Sequence, residues 1–221
     1  MNSFRLDGRV MIPVTPTDLD QPTERLAMAL LEWVVVKDTP EGRRVGRIVE
    51  CEMYQGPHDR AAHSYGGRRT ERTAVMFGPP GYAYVYLIYG MYHCLNVVSG
   101  PPGAPEAILI RALEPLGDWP EAQTPRQRDR LLAGPGKLCR ALGIDRRYYG
   151  HPLWQPPLWL ARPDTPWPSY QIARGPRIHV DYAGEAAEWP WRFWIWGHPA
   201  VSVKSVPAFL TGPQTESTPK L

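Results

Sequence analysis

The sequence predicts an α+β fold: a single mixed domain with a curved antiparallel β-sheet core flanked by short helices, with a protruding β-hairpin. Three observations carry this expectation. Apolar and polar residues alternate along residues 47–54 with the period of two that marks a strand. Two β-prone runs between Tyr82 and Val98 meet at Gly90-Met91, a hairpin signature. Helical patterns are confined to short stretches, over residues 23–32, 126–132 and 138–142.

In chain order, the termini, residues 1–20 and 211–221, are rich in Pro, Thr and Ser and are expected to be loose. Pro22 opens the first helix, which carries Leu26, Ala29, Leu30 and Trp33 on one side; residues 34–37 then form a strand that runs into a turn over 38–42. A strand over 47–54 sends Glu50, Glu52 and Tyr54 to one face and Val49, Cys51 and Met53 to the other, so a carboxylate and a ring share a surface. Residues 61–72 have no clean period. Their Gly66-Gly67 pair beside Arg68, Arg69 and Arg72 reads as a loop whose backbone can come close to a phosphate.

Glycine first in a two-residue connection suits a type II′ turn, which places Tyr89, Met91 and Tyr92 at an exposed tip. Residues 106–113 read as a central strand ended by Glu114-Pro115. Between the two later helices, Gly134-Pro135-Gly136 leaves free backbone N–H groups at a helix start with Lys137 beside them, a second place for a phosphate, with Arg140 one turn on. Candidate strands follow at 158–161, 177–182, 191–196 and 200–204, and Trp189, Trp191, Trp194 and Trp196 are expected to serve packing.

The chain of 221 residues is long enough to bury a substantial core as one domain. No apolar run approaches the ~20 residues of a membrane-spanning helix, and residues 1–24 lack the apolar segment of a signal peptide. An intracellular protein is therefore expected. Cys51, Cys94 and Cys139, odd in number and far apart, fit a reducing compartment. Neither Cys-x-x-Cys nor His-x-x-x-His occurs, so no protein-bound metal is expected.

A net charge of +3 says little by itself, but its distribution is uneven. Residues 126–147 hold seven cations against Asp129 and Asp145. All but four of the 25 basic residues are arginines, whose planar fork suits phosphate.

Glu52 beside Tyr54 and near His63 offers one general base among flat rings, with no serine or cysteine in an activating motif, which suits hydrolysis by an activated water. An enzyme acting on a base in duplex DNA must turn the nucleotide outward, hold the base between aromatic faces and fill the gap in the stack. Tyr54, His63 and Tyr86 can form the walls, Tyr89 the wedge, and Arg111 can orient the carboxylate. The lysines, Lys37, Lys137, Lys204 and Lys220, all lie outside residues 47–111, against a Schiff-base route. The residues alone leave a second class open: a non-catalytic nucleic-acid-binding module that stacks bases on its tyrosines.

In order along the chain, Gly46-Arg47-Ile48-Val49-Glu50-Cys51-Glu52-Met53-Tyr54, Ala61-Ala62-His63-Ser64, Tyr84-Val85-Tyr86-Leu87-Ile88-Tyr89-Gly90-Met91-Tyr92 and Leu109-Ile110-Arg111-Ala112-Leu113-Glu114-Pro115 resemble the alkyladenine, or 3-methyladenine, DNA glycosylases. The resemblance implies a monofunctional enzyme of base excision repair that needs no cofactor and acts as a monomer, inside the cell with the DNA, on double-stranded DNA containing damaged purines. It implies Glu52 as general base with Arg111 holding the water, and Tyr54, His63, Tyr86 and Asn96 as the base pocket. Tyr89, with Met91 and Tyr92, matches the minor-groove insertion. Cys51 stands where a small hydroxyl residue is usual, and the loop over 99–105 is longer.

The hairpin poses one geometric condition. A strict Gly90-Met91 turn pairs Tyr86 with Leu95 and sends Asn96 to the opposite face. For Tyr86 and Asn96 to line one pocket, the hairpin must contain a bulge or a three-residue connection.

Overall fold

A computed structural model describes residues 2–211. Contrary to the expectation of a loose N-terminus, β1 (Phe4–Leu6) pairs with β2 (Arg9–Pro13), and α1 (Pro16–Leu19) follows under a Thr15/Asp18 capping box. The reason is remote in sequence: β2 is held by β9 (Leu158–Pro163), with Met11 opposite Pro163. The other segment expected to be loose lies, beyond Thr211, outside the described residues.

The described strands form one twelve-stranded antiparallel sheet. Its axis is β4 (Gly42–Gln55), 14 residues long. One edge of β4 pairs first with β3 (Val34–Thr39) and then with β11 (Arg192–Ile195), while β7 (Glu106–Leu116) runs along the other. The hairpin, β5 (Ala83–Ile88) and β6 (Tyr92–Ser99), joins through β6 to β7. Short β8 (Trp154–Gln155) pairs with β9, and β10 (Ile172–Gly175) and β12 (Phe209–Thr211) extend the sheet beyond β11.

On one face lie α2 (Thr23–Leu30) and α4 (Pro135–Leu142), while α3 (Pro125–Leu131) starts at a Thr124/Gln127 capping box. Leu26, Leu30, Leu138 and Leu142 enter one core with Ile48, Cys51, Met53, Ile108 and Ile110. Full burial of each such side chain is worth ~1.5–3 kcal/mol. The close approach at Gly46 leaves no room for a side chain: a Cβ there would stand 2.9 Å from Leu113 Cβ.

Five local expectations are corrected. In β4 the register shifts on both sides of Glu50, so Val49 does not join Cys51 and Met53 but packs with Ala112, Ile195 and Ala200. Such a bulge gives two successive residues to one side of the sheet. The hairpin turn is three residues long, not two: Ile88 pairs with Tyr92, and both Tyr89 (φ 53°) and Gly90 (φ 68°) are left-handed. This is the irregularity the pocket required, since Tyr86 now faces Cys94 and Tyr84 faces Asn96. β7 continues through Pro115 to Leu116, since Pro115 lies opposite Gly46 where β6 no longer flanks β7.

Residues 177–182 and 200–204 are not strands. Each donates a backbone N–H to a carboxylate of β4 instead of to a ladder: Ile178 to Glu52 at 2.8 Å and Ser202 to Glu50 at 2.6 Å. Those two hydrogen bonds place both segments at the site.

Candidate active site

A cavity of about 430 Å³ opens between the hairpin, the start of α4 and residues 178–182, a size usual for a small-molecule or single-base site. Tyr54, His63, Tyr86, Asn96 and Arg111 line it, as do Tyr89, Tyr92, Lys137 and Arg140 nearer the hairpin tip and α4. Met91, Arg68 and Arg69 do not, and neither does Glu52 itself.

Glu52 is fully buried, one layer behind the cavity wall. Tyr54 Oη donates to its Oε2 at 2.8 Å, Ile178 N–H donates to its Oε1 at 2.8 Å, and Arg111 Nη1 approaches Oε1 at 3.3 Å. All three partners line the cavity. A carboxylate offers about four acceptor positions, so roughly one is left.

Arg111 is fixed from behind. Its Nε–H donates to Glu50 Oε1 at 2.9 Å, and the same oxygen accepts from Arg192 Nε at 2.8 Å. Burial works against the charge on Arg111, but Glu52 and Glu50 outweigh it and hold the guanidinium pKa above its usual value. Ile178 is positioned by Arg177, whose buried guanidinium is bonded to Asp59 and to the Met53 carbonyl.

His63 stands edge-on to two tyrosines, which are themselves tilted by 38° to each other. His63 and Tyr86 have centroids 4.7 Å apart with an interplanar angle of 80°, and Tyr84 lies 5.2 Å from Tyr86. Arg72 sits over Tyr86 at 4.7 Å and reaches His63 Nε2 at 3.3 Å, while His63 Nδ1 is 2.8 Å from Tyr84 Oη. A guanidinium can only donate. Nε2 is therefore the acceptor, Nδ1 carries the proton, and Tyr84 receives it with its own O–H left to give. Burial first, then Arg72, depresses the His63 pKa to about 4, so the ring is neutral at pH 7. Burial raises the phenols of Tyr54 and Tyr86 and brings Tyr84 to about 12, keeping all three protonated.

Asn96 is 3% exposed and donates from Nδ2 to the Tyr84 carbonyl at 3.0 Å, which fixes its amide against the wall. Tyr89 and Met91 project from the tip, 75% and 67% exposed. Tyr92 is anchored: Gly136 lies so near that a Cβ would stand 3.0 Å from the Tyr92 ring, tying the hairpin to the start of α4. Arg68 and Arg69 are exposed beyond the Gly66-Gly67 turn. Among the described residues, no group of three or more His, Cys, Asp and Glu is placed to hold a metal.

The sequence reading missed Glu50 and Arg192 as a pair, Arg72 and Tyr84 as partners of His63, and the Ile178 and Ser202 amides. The alternation in β4 did put Glu50 beside Glu52. Backbone donors supplied from more than 100 residues away leave no mark in composition.

A cavity walled by aromatic rings, with a carboxylate behind one wall, has the form of a site for a flat ring. Comparison makes this specific: the family model described as methylpurine-DNA glycosylase matches residues 17–199. The chain belongs to that family, and so to the hydrolases of DNA repair. A relative from Bacillus cereus strain G9842, provisionally named a 3-methyladenine DNA glycosylase, is 49% identical over 201 residues, covering 86% of this chain and 98% of its own. Another, from strain ATCC 10987 and with the same provisional name, is 50% identical over the same coverage.

Proposed function

We propose that the protein excises damaged purines of the 3-methyladenine, ethenoadenine and hypoxanthine class from double-stranded DNA, leaving an abasic site and an uncut strand. The supporting observation is that all three groups bonded to the Glu52 carboxylate also line the aromatic cavity. With the base turned out into the cavity, a water entering the wall between Tyr54 and Arg111 takes the acceptor position left on Glu52. As the glycosidic bond breaks, the water oxygen bonds to C1′, its proton passes to Glu52, and the bonding electron pair leaves with the base. No cofactor takes part in this scheme.

Tyr54, His63 and Tyr86 bound the everted base. Both nitrogens of His63 are engaged, so the Tyr84 hydroxyl, which also lines the cavity, supplies a hydrogen bond to an acceptor on the base. Asn96 crowds a 2-amino group and so disfavours guanine. Tyr89, flanked by Met91 and Tyr92, fills the gap in the stack, and Arg68, Arg69, Lys137 and Arg140 contact phosphates. The protein acts as a monomer, inside the cell, where the DNA is.

The test incubates the purified protein with duplexes carrying hypoxanthine, ethenoadenine or 3-methyladenine and measures abasic sites with and without alkali. Alkali-dependent cleavage alone is expected; breaks without alkali contradict the monofunctional route. If Glu52→Gln turned over normally, the carboxylate would be relieved of its role.

A further inference from the structure

We infer that a second, basic cleft beside the base cavity seats the DNA backbone phosphates that flank the everted nucleotide. The inference rests on the glycosylase reading above. The cleft, about 400 Å³, lies between α3, the start of α4 and residues 199–204, and is lined by Arg126, Arg130, Lys137 and Lys204 with Asp129 as its one acid.

Among the described residues none of these four cations is in an ion pair, although arginines elsewhere in the chain are paired with carboxylates. Like charges converging on one concavity repel each other, and a concave wall concentrates their field; an entering polyanion relieves both. The cations come from three segments separated in sequence, brought together only by the fold. Leu113 N–H bonded to the Leu132 carbonyl at 3.2 Å holds the end of α3 to β7 and so fixes the cleft wall.

Two connections place this cleft next to the reaction. Lys137 lines both concavities. Ser202, in the cleft, accepts from Arg111 Nη2 at 3.3 Å and gives its N–H to Glu50. A phosphate seated there lies one hydrogen bond from the guanidinium that holds Glu52. The sequence of residues 126–147 had marked a basic excess; the structure divides it, sending Arg126, Arg130 and Lys137 here and Arg146 to a different surface beside Tyr149.

The test substitutes Arg126, Arg130 and Lys204 together by Gln and measures two quantities across a salt series: single-turnover excision against enzyme concentration, and binding to undamaged duplex. The half-saturating concentration for excision should rise about tenfold or more, with the rate at saturation within about twofold. The plot of log affinity against log salt should flatten by about 2–3, since each phosphate contact contributes about 0.9 to the slope. Substituting the same positions by Lys or Arg, which keeps the charge, should restore the slope. A control removes equal charge at Arg5, Arg43 and Arg162, which line neither concavity.

An unchanged slope and half-saturation, or a change no larger than the control's, overturns the cleft assignment. Absence of excision by the unaltered protein defeats the glycosylase reading instead, while the binding arm still reports on the cleft.

Discussion

Arg111 bridges Glu50 and Glu52, giving its Nε–H to the first at 2.9 Å and placing Nη1 3.3 Å from the second. The two carboxylates project from alternate positions of β4, yet their tasks diverge: Glu50 also binds Arg192 and Ser202, whereas Glu52 meets only groups that line the cavity. One anchors the guanidinium from behind, and the other sits beneath the cavity wall.

Replacing Glu52 by Gln should therefore lower the excision rate about 10²–10⁴-fold, the range of a general base, with affinity for lesion-bearing duplex retained. Single-turnover kinetics and a binding isotherm on the same variant separate the two quantities. Equal loss of both would assign Glu52 to folding rather than catalysis.

Glu50→Ala should act first on stability. It strands two buried guanidiniums, Arg111 and Arg192, and breaking a buried pair costs ~3–5 kcal/mol. Urea unfolding should show the loss as a lower midpoint. An undisturbed midpoint would mean that Arg111 is held by Glu52 alone.

His63 should stay neutral, with its proton on Nδ1, far below the usual histidine range. Although the residue is exposed at one edge, its ring packs against Tyr84 and Tyr86 and meets Arg72. The folded pKa is about 4 against 6.5 for a free imidazole. The unfolded chain thus binds the proton first, and stability falls as pH drops from about 6.5 toward 4. Nitrogen-15 NMR of the imidazole checks the tautomer at pH 7, and Arg72→Gln should move the pKa upward. A ring already protonated at pH 6 would contradict the enclosure.

Tyr89→Ala should leave stability within about 0.5 kcal/mol, as for exposed sites generally, because the side chain is at the tip and 75% exposed. Affinity for lesion duplex should nevertheless drop roughly tenfold, from the ~1–3 kcal/mol that a base gains by stacking on a ring. Undiminished affinity would remove Tyr89 from the interface.

Much of the site was legible because its residues sit on strands or beside diagnostic turns. The period of two in β4 put Glu50, Glu52 and Tyr54 together, and a condition of parity required a bulge or a three-residue turn in the hairpin, of which the structure has the turn, aligning Tyr84, Tyr86 and Asn96. The strands expected over 177–182 and 200–204 failed for a reason no local pattern contains: their amides serve carboxylates on β4. The ordered N-terminus was hidden in the same way, since Met11 finds its partner at Pro163.

The amino-acid order by itself determined the α+β class, the central strand, the hairpin and the set of rings and charges available for chemistry, because backbone periodicity and turn preference act over neighbouring residues. Tertiary structure alone decided that Glu52 is enclosed, that Arg72 sets the proton of His63, and that cations from three segments converge in one cleft. Those outcomes depend on desolvation and on hydrogen bonds between groups far apart in the chain, and such interactions exist only after the sheet has brought them into contact.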